Sequence, residues 1–370
     1  MFFSLLLIHT TILEVPDMRR VPVIILSGFL GSGKTTLLLR LLKQANDRRL
    51  KTAVLMNELG QSDVDSGLIH ADWPGASLEN LLDGCMCCSK KSEVAGCIRR
   101  LIEQQPDVIF IELTGVANPE EVVEVLTDPS LLNRVELRHI ITVLDSEWVL
   151  EYDSLFNTDL ALKHTLRRQM EVADTILINK TDLASSSQLA KITKSIARQN
   201  DKAAVHYTRH SDMDLNPVFS SLQPAANSLP AVSRGLKVSV SVRKRPESSA
   251  HTHEHSPGPG KEQEHTAAAG TGSFTRVKTV TLAVPEHTLI TVKQADQFIQ
   301  KWRDGLLRAK GYIAGSERKE PCKLVQFAGK RIYWSDTDYH GPSYLVFIGI
   351  DLDRQQIEQD WNRLLNVITA

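Results

Sequence analysis

The chain has 370 residues, with 43 basic and 44 acidic side chains and a net charge of −1, which leaves no electrostatic argument for nucleic acid or an anionic membrane as partner. Its length suggests two domains, and an apolar fraction of 42% is slightly low for a fully packed chain, so some segment is expected to stay unfolded. Five cysteines are too few for a disulfide scaffold, and three of them fall between 85 and 88, a clustering that suggests metal or redox chemistry in a reducing compartment.

The first stretch, Met1–Ile8, is apolar, but no Lys or Arg precedes it and no small-residue cleavage site follows. It is too short to span a bilayer. Residues 1–17 therefore read as a loose extension or a mis-assigned start, with Met18 the expected beginning; a weak membrane anchor is the rival.

Val21–Leu26 is a buried-strand run, and Gly28-Phe29-Leu30-Gly31-Ser32-Gly33-Lys34-Thr35-Thr36 follows it. Every fixed position of the phosphate-loop pattern G-x-x-x-x-G-K-[ST] is met. Glycines let backbone N–H groups turn inward onto phosphate, Lys34 can reach the terminal phosphates, and Thr35 can ligate Mg²⁺. Leu37–Leu42 continues into an apolar helix whose N-terminus faces the anion. Thr52–Met56 reads as a second strand and runs into the acidic loop 57–65. Strands alternating with helices predict an α/β fold, a parallel sheet with helices on both faces and ligand loops at the carboxyl ends of its strands.

Cys85-Met86-Cys87-Cys88 comes next. Thiolates suit Zn²⁺ and similar ions, and in an extended stretch Cys85 and Cys87 share a side. Spacing alone leaves buried thiols and a redox pair open as alternatives. Cys97 and Cys322 are isolated and read as core residues. Val108–Ile111 is a buried strand ending at Glu112-Leu113-Thr114-Gly115, the layout of an acidic phosphate-sensing loop. Ile140–Leu144 ends at Asp145, and Thr175–Ile178 ends at Asn179-Lys180-Thr181-Asp182. A carboxylate at Asp182 can accept from guanine N1–H and its amine, a donor pair adenine lacks. Ala203–Val205 is the expected last strand of this part.

Residues 18 to about 225 resemble the CobW-type GTPases, the metallochaperone branch of the P-loop GTPases. The resemblance rests on GFLGSGKTTLL, NELG, GCMCCS, ELTG followed by Asn118-Pro119, and NKTD, in that order. It implies that Gly28, Gly31, Ser32, Gly33, Lys34, Thr35 and Thr36 hold the phosphates, with Thr35 on Mg²⁺. It implies that Glu112 belongs to the switch loop and that Asn179, Lys180 and Asp182 read guanine. Cys85, Cys87 and Cys88 then bind Zn²⁺ or another transition metal. Two features depart from the family pattern: Met56 and Gln61 stand where many relatives carry acids, and Leu113 takes the second position of the acidic loop.

Residues 226–273 form a connecting segment, and Arg243–Ser273 within it is rich in Ser, Pro, Gly, Glu and His, a flexible-linker composition. His251, His253, His255 and His265 lie there, where relatives often carry a metal-gathering tract; a polar linker that tolerates His is the plainer reading. From 274 to 370 a small α+β domain is expected: strands at Val277–Val284, Lys323–Phe327, Ile332–Trp334 and Tyr344–Ile348, and helices at Val292–Arg308 and Arg354–Val367. Trp302, Tyr333 and Trp334 are expected in its core. Arg308-Ala309-Lys310-Gly311, Gln326 and Leu345–Gly349 resemble the CobW C-terminal domain. The function implied is a cytoplasmic GTPase that couples GTP turnover to delivery of zinc to a client metalloprotein, with a homodimer open. A client-free zinc buffer and a cobalt-handling protein of cobalamin synthesis are the alternatives.

Overall fold

The computed structural model describes residues 19–56, 77–80, 91–153, 160–220, 222, 224, 275–285, 288–314, 321–328 and 330–369. The extension 1–17, the acidic loop 57–65, the Cys85–Cys88 motif and the linker histidines lie outside the described residues.

The strands are β1 Val21–Ser27, β2 Thr52–Met56, β3 Ser77–Asn80, β4 Val108–Glu112, β5 Val135–Asp145, β6 Thr175–Asn179 and β7 Ala204–Tyr207. They form one sheet in the order β3-β2-β4-β1-β5-β6-β7, and every pairing is parallel. The helices between them are α1 Lys34–Asp47, α2 Lys91–Glu103, α3 Pro119–Leu126, α4 Val149–Tyr152, α5 Leu160–Val172, α6 Ser186–Gln199 and α7 Asn216–Phe219. Alternation along the strands separates two cores. Ile24 and Leu26 face α1 and α7, through Leu37, Leu38, Leu41 and Phe219. Val23 and Ile25 face the opposite way, towards α2 and α3. Covering both faces explains why these strands read as unbroken apolar runs. Among the described residues no helix is long and apolar enough to cross a membrane.

The remaining elements are β8 Val277–Ala283, α8 Val292–Trp302, a 3-10 turn Arg303–Gly305, β9 Leu306–Ile313, β10 Cys322–Ala328, β11 Arg331–Thr337, β12 Tyr344–Ile350 and α9 Arg354–Thr369. The five strands form an antiparallel sheet in the order β11-β10-β9-β12-β8. Leu345 and Phe347 pack under α8 and α9. Tyr344, Val346 and Ile348 point the other way and join the α2–α3 core of the first sheet. Both sheets fall within one compact unit.

Four details differ from the sequence reading. The helix expected over 292–308 stops at Trp302, because Asp304-Gly305 breaks it and Leu306–Ile313 becomes the central strand β9. Strand β3 is additional and pairs in parallel with β2. Tyr333 is 51% exposed, because its strand is the sheet edge and its side chain faces away from Trp334, which packs on the helix-covered core with Trp302. Cys97 is buried in the core, whereas Cys322 is only half-buried at the start of β10.

Candidate nucleotide site

Parallel register brings four strand ends to one edge. Leu26 lies beside Glu112, and Asp145 lies beside Asn179. The loop after β1 rises between them. Its turn needs glycine at Gly28, where φ is 130° and a Cβ would sit 2.1 Å from the Val143 carbonyl oxygen. Gly33, at φ 109°, precedes α1, and a Cβ there would meet the Asn179 amide nitrogen at 2.4 Å. Gly31 also has a positive φ but faces open space.

Lys34 is buried and its Nζ donates to the Phe29 carbonyl at 3.1 Å, so the ammonium is folded back over its own loop. Thr35 Oγ1 donates to Glu112 Oε1 at 2.9 Å, and Glu112 is buried. A hydroxyl and a carboxylate so placed are the hard oxygen donors that Mg²⁺ prefers, and they fit that ion. Ser32 is buried in the loop and Thr36 is exposed at the first helical turn. Gly115, in the loop after β4, approaches the phosphate loop so closely that a Cβ would lie 2.5 Å from the Leu30 nitrogen.

Asn179 is the fastener of the site. Its Nδ2 donates to the Ser32 carbonyl at 2.8 Å, and its Oδ1 accepts from Ser211 N at 2.8 Å and Thr208 Oγ1 at 3.1 Å. Ser211 Oγ in turn donates to the Gly33 carbonyl at 2.9 Å. One buried amide therefore joins the phosphate loop, the Asn179–Asp182 tetrad and the loop after β7. Asn179 was expected to read the base; its Oδ1 accepts two protein bonds and its Nδ2 spends one of its two hydrogens on the Ser32 carbonyl, so the protein holds the side chain at three points. Lys180 sits at φ 60°, its Nζ 2.6 Å from Asp145 Oδ2 and its carbonyl accepting from Ser146 Oγ at 2.7 Å. Asp182 is exposed next to it, open to a ligand.

Three participants gave no local signal. Thr208 and Ser211 lie outside any motif and come to Asn179 only through the fold. Gln169 of α5, fully buried, donates from Nε2 to the carbonyls of Gly115 at 3.2 Å and Ala117 at 3.0 Å, holding the loop after Glu112. The predicted thiols Cys85, Cys87 and Cys88 are outside the described residues, and among the described residues no cluster of His, Cys, Asp or Glu is set to hold a metal ion.

Residues 22–207, half of the chain, match the family described as CobW/HypB/UreG, nucleotide-binding domain. The chain belongs to this family. Residues 280–365 match the cobalamin synthesis protein cobW C-terminal domain. Zinc-regulated GTPase metalloprotein activator 1 of Schizosaccharomyces pombe is 34% identical over 206 residues, which is 52% of this chain and 47% of that protein. Zinc chaperone YjiA of Escherichia coli is 32% identical over 211 residues, 55% of this chain and 62% of that protein. The chain thus spans about half the length of the curated relatives it matches. The Zn(II)-bound YjiA GTPase structure from E. coli is 21% identical, covers 94% of this chain and 99% of that one, and has a TM-score of 0.42.

Proposed function

We propose that this CobW-family chain binds and hydrolyses GTP and couples the turnover to passing a transition metal, zinc foremost, to a client metalloprotein. The observation that carries the reading is the Asn179 amide, which fastens the phosphate loop to the tetrad bearing the exposed Asp182. A phosphate cradle and a guanine acceptor held on one amide suit a single guanine nucleotide lying across both. The names of the relatives, a zinc-regulated GTPase activator and a zinc chaperone, support the cargo.

In this reading Gly28, Gly31, Ser32, Gly33 and Thr36 present backbone and hydroxyl groups to the phosphates. Lys34 exchanges the Phe29 carbonyl for the terminal phosphate oxygens. Thr35 and Glu112 hold Mg²⁺, which when bound neutralises charge on the phosphates. Asp182 accepts from the base, and the stem of Lys180, tethered to Asp145, forms one wall beside it. Cys85, Cys87 and Cys88 carry the cargo as thiolates, which requires a reducing compartment such as the cytoplasm. Turnover is expected to be slow until a client or the metal completes the site.

Competition binding tests the base assignment. The unaltered protein should prefer GTP to ATP, and Asp182→Asn should lose GTP affinity and gain xanthosine triphosphate, whose base replaces the amine with a carbonyl. Equal affinity of the unaltered protein for ATP and GTP would remove the guanine reading.

A further inference from the structure

The loop after Glu112 runs directly into α3, which begins at Pro119. Gly115 in that loop touches the phosphate loop, and Gln169 pins the carbonyls of Gly115 and Ala117. Any displacement of Gly115 by a phosphate is therefore passed to the N-terminus of a short, buried helix. Packed elements of this kind shift between discrete positions and do not deform smoothly.

The acids of α3 reach three separate elements. Glu120 meets Arg168 of α5 at 3.3 Å. Glu121 meets Arg308 of β9, the central strand of the antiparallel sheet, at 3.3 Å. Glu124 lies between Lys91, the first residue of α2, at 2.8 Å and the same Arg308 at 3.8 Å. The Glu124 side chain is only 7% exposed, and Arg308 and Lys91 are 20% and 22% exposed. A carboxylate this buried cannot lose its cations cheaply. If α3 moves, Arg308 must follow or let go. Lys91 lies just downstream of Cys88 in the chain.

We propose that the joint of Arg308 with Glu121 and Glu124 makes the antiparallel sheet a reader of the nucleotide state, with Lys91 extending the same joint to the chain that follows the cysteine motif. The inference rests on the reading of the site as a guanine-nucleotide site. Arg308 is a positioning residue: it touches neither phosphate loop nor tetrad, and it acts through α3. By linkage, whatever binds the antiparallel sheet in one nucleotide state must favour that nucleotide by the same factor.

The test is amide hydrogen exchange along β9 and β12 of the full chain, with GDP and with a non-hydrolysable GTP analogue, both in Mg²⁺. Exchange should differ between the two states by about 5-fold or more in the unaltered protein. Arg308→Gln should collapse that difference while leaving GDP affinity within about twofold, and Arg308→Lys should restore part of it, since the charge is kept and the forked geometry lost. A purely static bridge would make Arg308→Gln speed exchange equally in both states and leave their ratio untouched. That result, or equal exchange in the two states of the unaltered protein, overturns the proposal. If the protein binds both guanine nucleotides and exchange is equal, only this inference falls. If it binds neither, the site reading falls with it.

Discussion

The two sheets of this protein divide its labour in a way their hydrogen bonding explains. In the parallel sheet all strands point one way, so β1, β4, β5 and β6 deliver their chain ends, and with them Gly28, Glu112, Asp145 and Asn179, to a single edge. In the antiparallel sheet neighbouring strands end at opposite edges, and side chains alternate between the α8–α9 core and the α2–α3 core. One sheet gathers chemistry at an edge; the other offers a face. The face meets the edge's supporting helix where Arg308 of β9 pairs with Glu121 of α3.

Severe damage to either sheet should look different. Phe347 is fully buried in β12 and stacks on Phe298 with ring centroids 5.7 Å apart. Phe347→Ala should cost about 4 kcal/mol of stability, read by denaturant unfolding. In the folded fraction, guanine-nucleotide affinity should stay near normal, because no phosphate or base contact is touched. Lost affinity in protein shown to be folded would mean the two sheets are not separable in function.

On the parallel side, Asn179 and Asp182 sharpen the distinction between holding the site and reading the ligand. Asn179→Ala strips partners from the Ser32 carbonyl, Ser211 N–H and Thr208 hydroxyl, and should cost about 3 kcal/mol while abolishing nucleotide binding. Asp182→Ala, at an exposed position, should leave stability within about 0.5 kcal/mol and lose only guanine preference. Thermal melts without nucleotide separate the two, and equal melting losses would refute the division.

The smallest effect is expected where the chain of the second sheet returns to the base of the first. There Arg276 N donates to Asp174 Oδ1, and Ile140 N to Asp174 Oδ2. His139 lies beside this carboxylate, with Nε2 2.9 Å from Thr175 Oγ1 and Arg138 adjacent. Burial holds His139 below the ordinary imidazole value, against the pull of Asp174, while Arg138 adds to the lowering. Burial raises Asp174 against the pull of His139 and its backbone donors. A depressed histidine contributes stability above its unfolded pKa of about 6.5, lost as pH falls through the lower folded value. Asp174 has the opposite sign, and its share is lost as pH rises from about 4 through its raised folded value. As pH falls from 7, the loss at His139 and the gain at Asp174 oppose each other. By removing the histidine's share, His139→Gln should make the melting temperature fall less steeply, or rise, as pH goes from 7 to 5. An unchanged slope would show that the histidine does not sense folding.

What was legible in the sequence follows the same division. The phosphate loop, the buried strand runs and the Asn179–Asp182 tetrad were readable because each is local and fixed by one strand end. The strand β9 was not, because Leu306–Ile313 continues the apolar spacing of α8 until Gly305 is given its weight as a breaker. Nor were Ser211, Thr208, Gln169 and Arg308, whose partners lie far along the chain and meet only after packing. The sequence pointed to Asn179 as a base reader, and only the long-range bonds add that the same side chain is a fastener.

The central claim is that nucleotide state and metal affinity are coupled. It is tested most directly by zinc affinity, measured by chelator competition on the full chain in the GDP-bound and GTP-analogue-bound states. The account predicts tighter zinc binding with the GTP analogue by about 5- to 150-fold, a coupling of about 1–3 kcal/mol, and the same factor for the effect of zinc on GTP. Cys87→Ala should erase that factor and leave GDP affinity close to normal. Identical zinc affinities in the two nucleotide states would contradict the account.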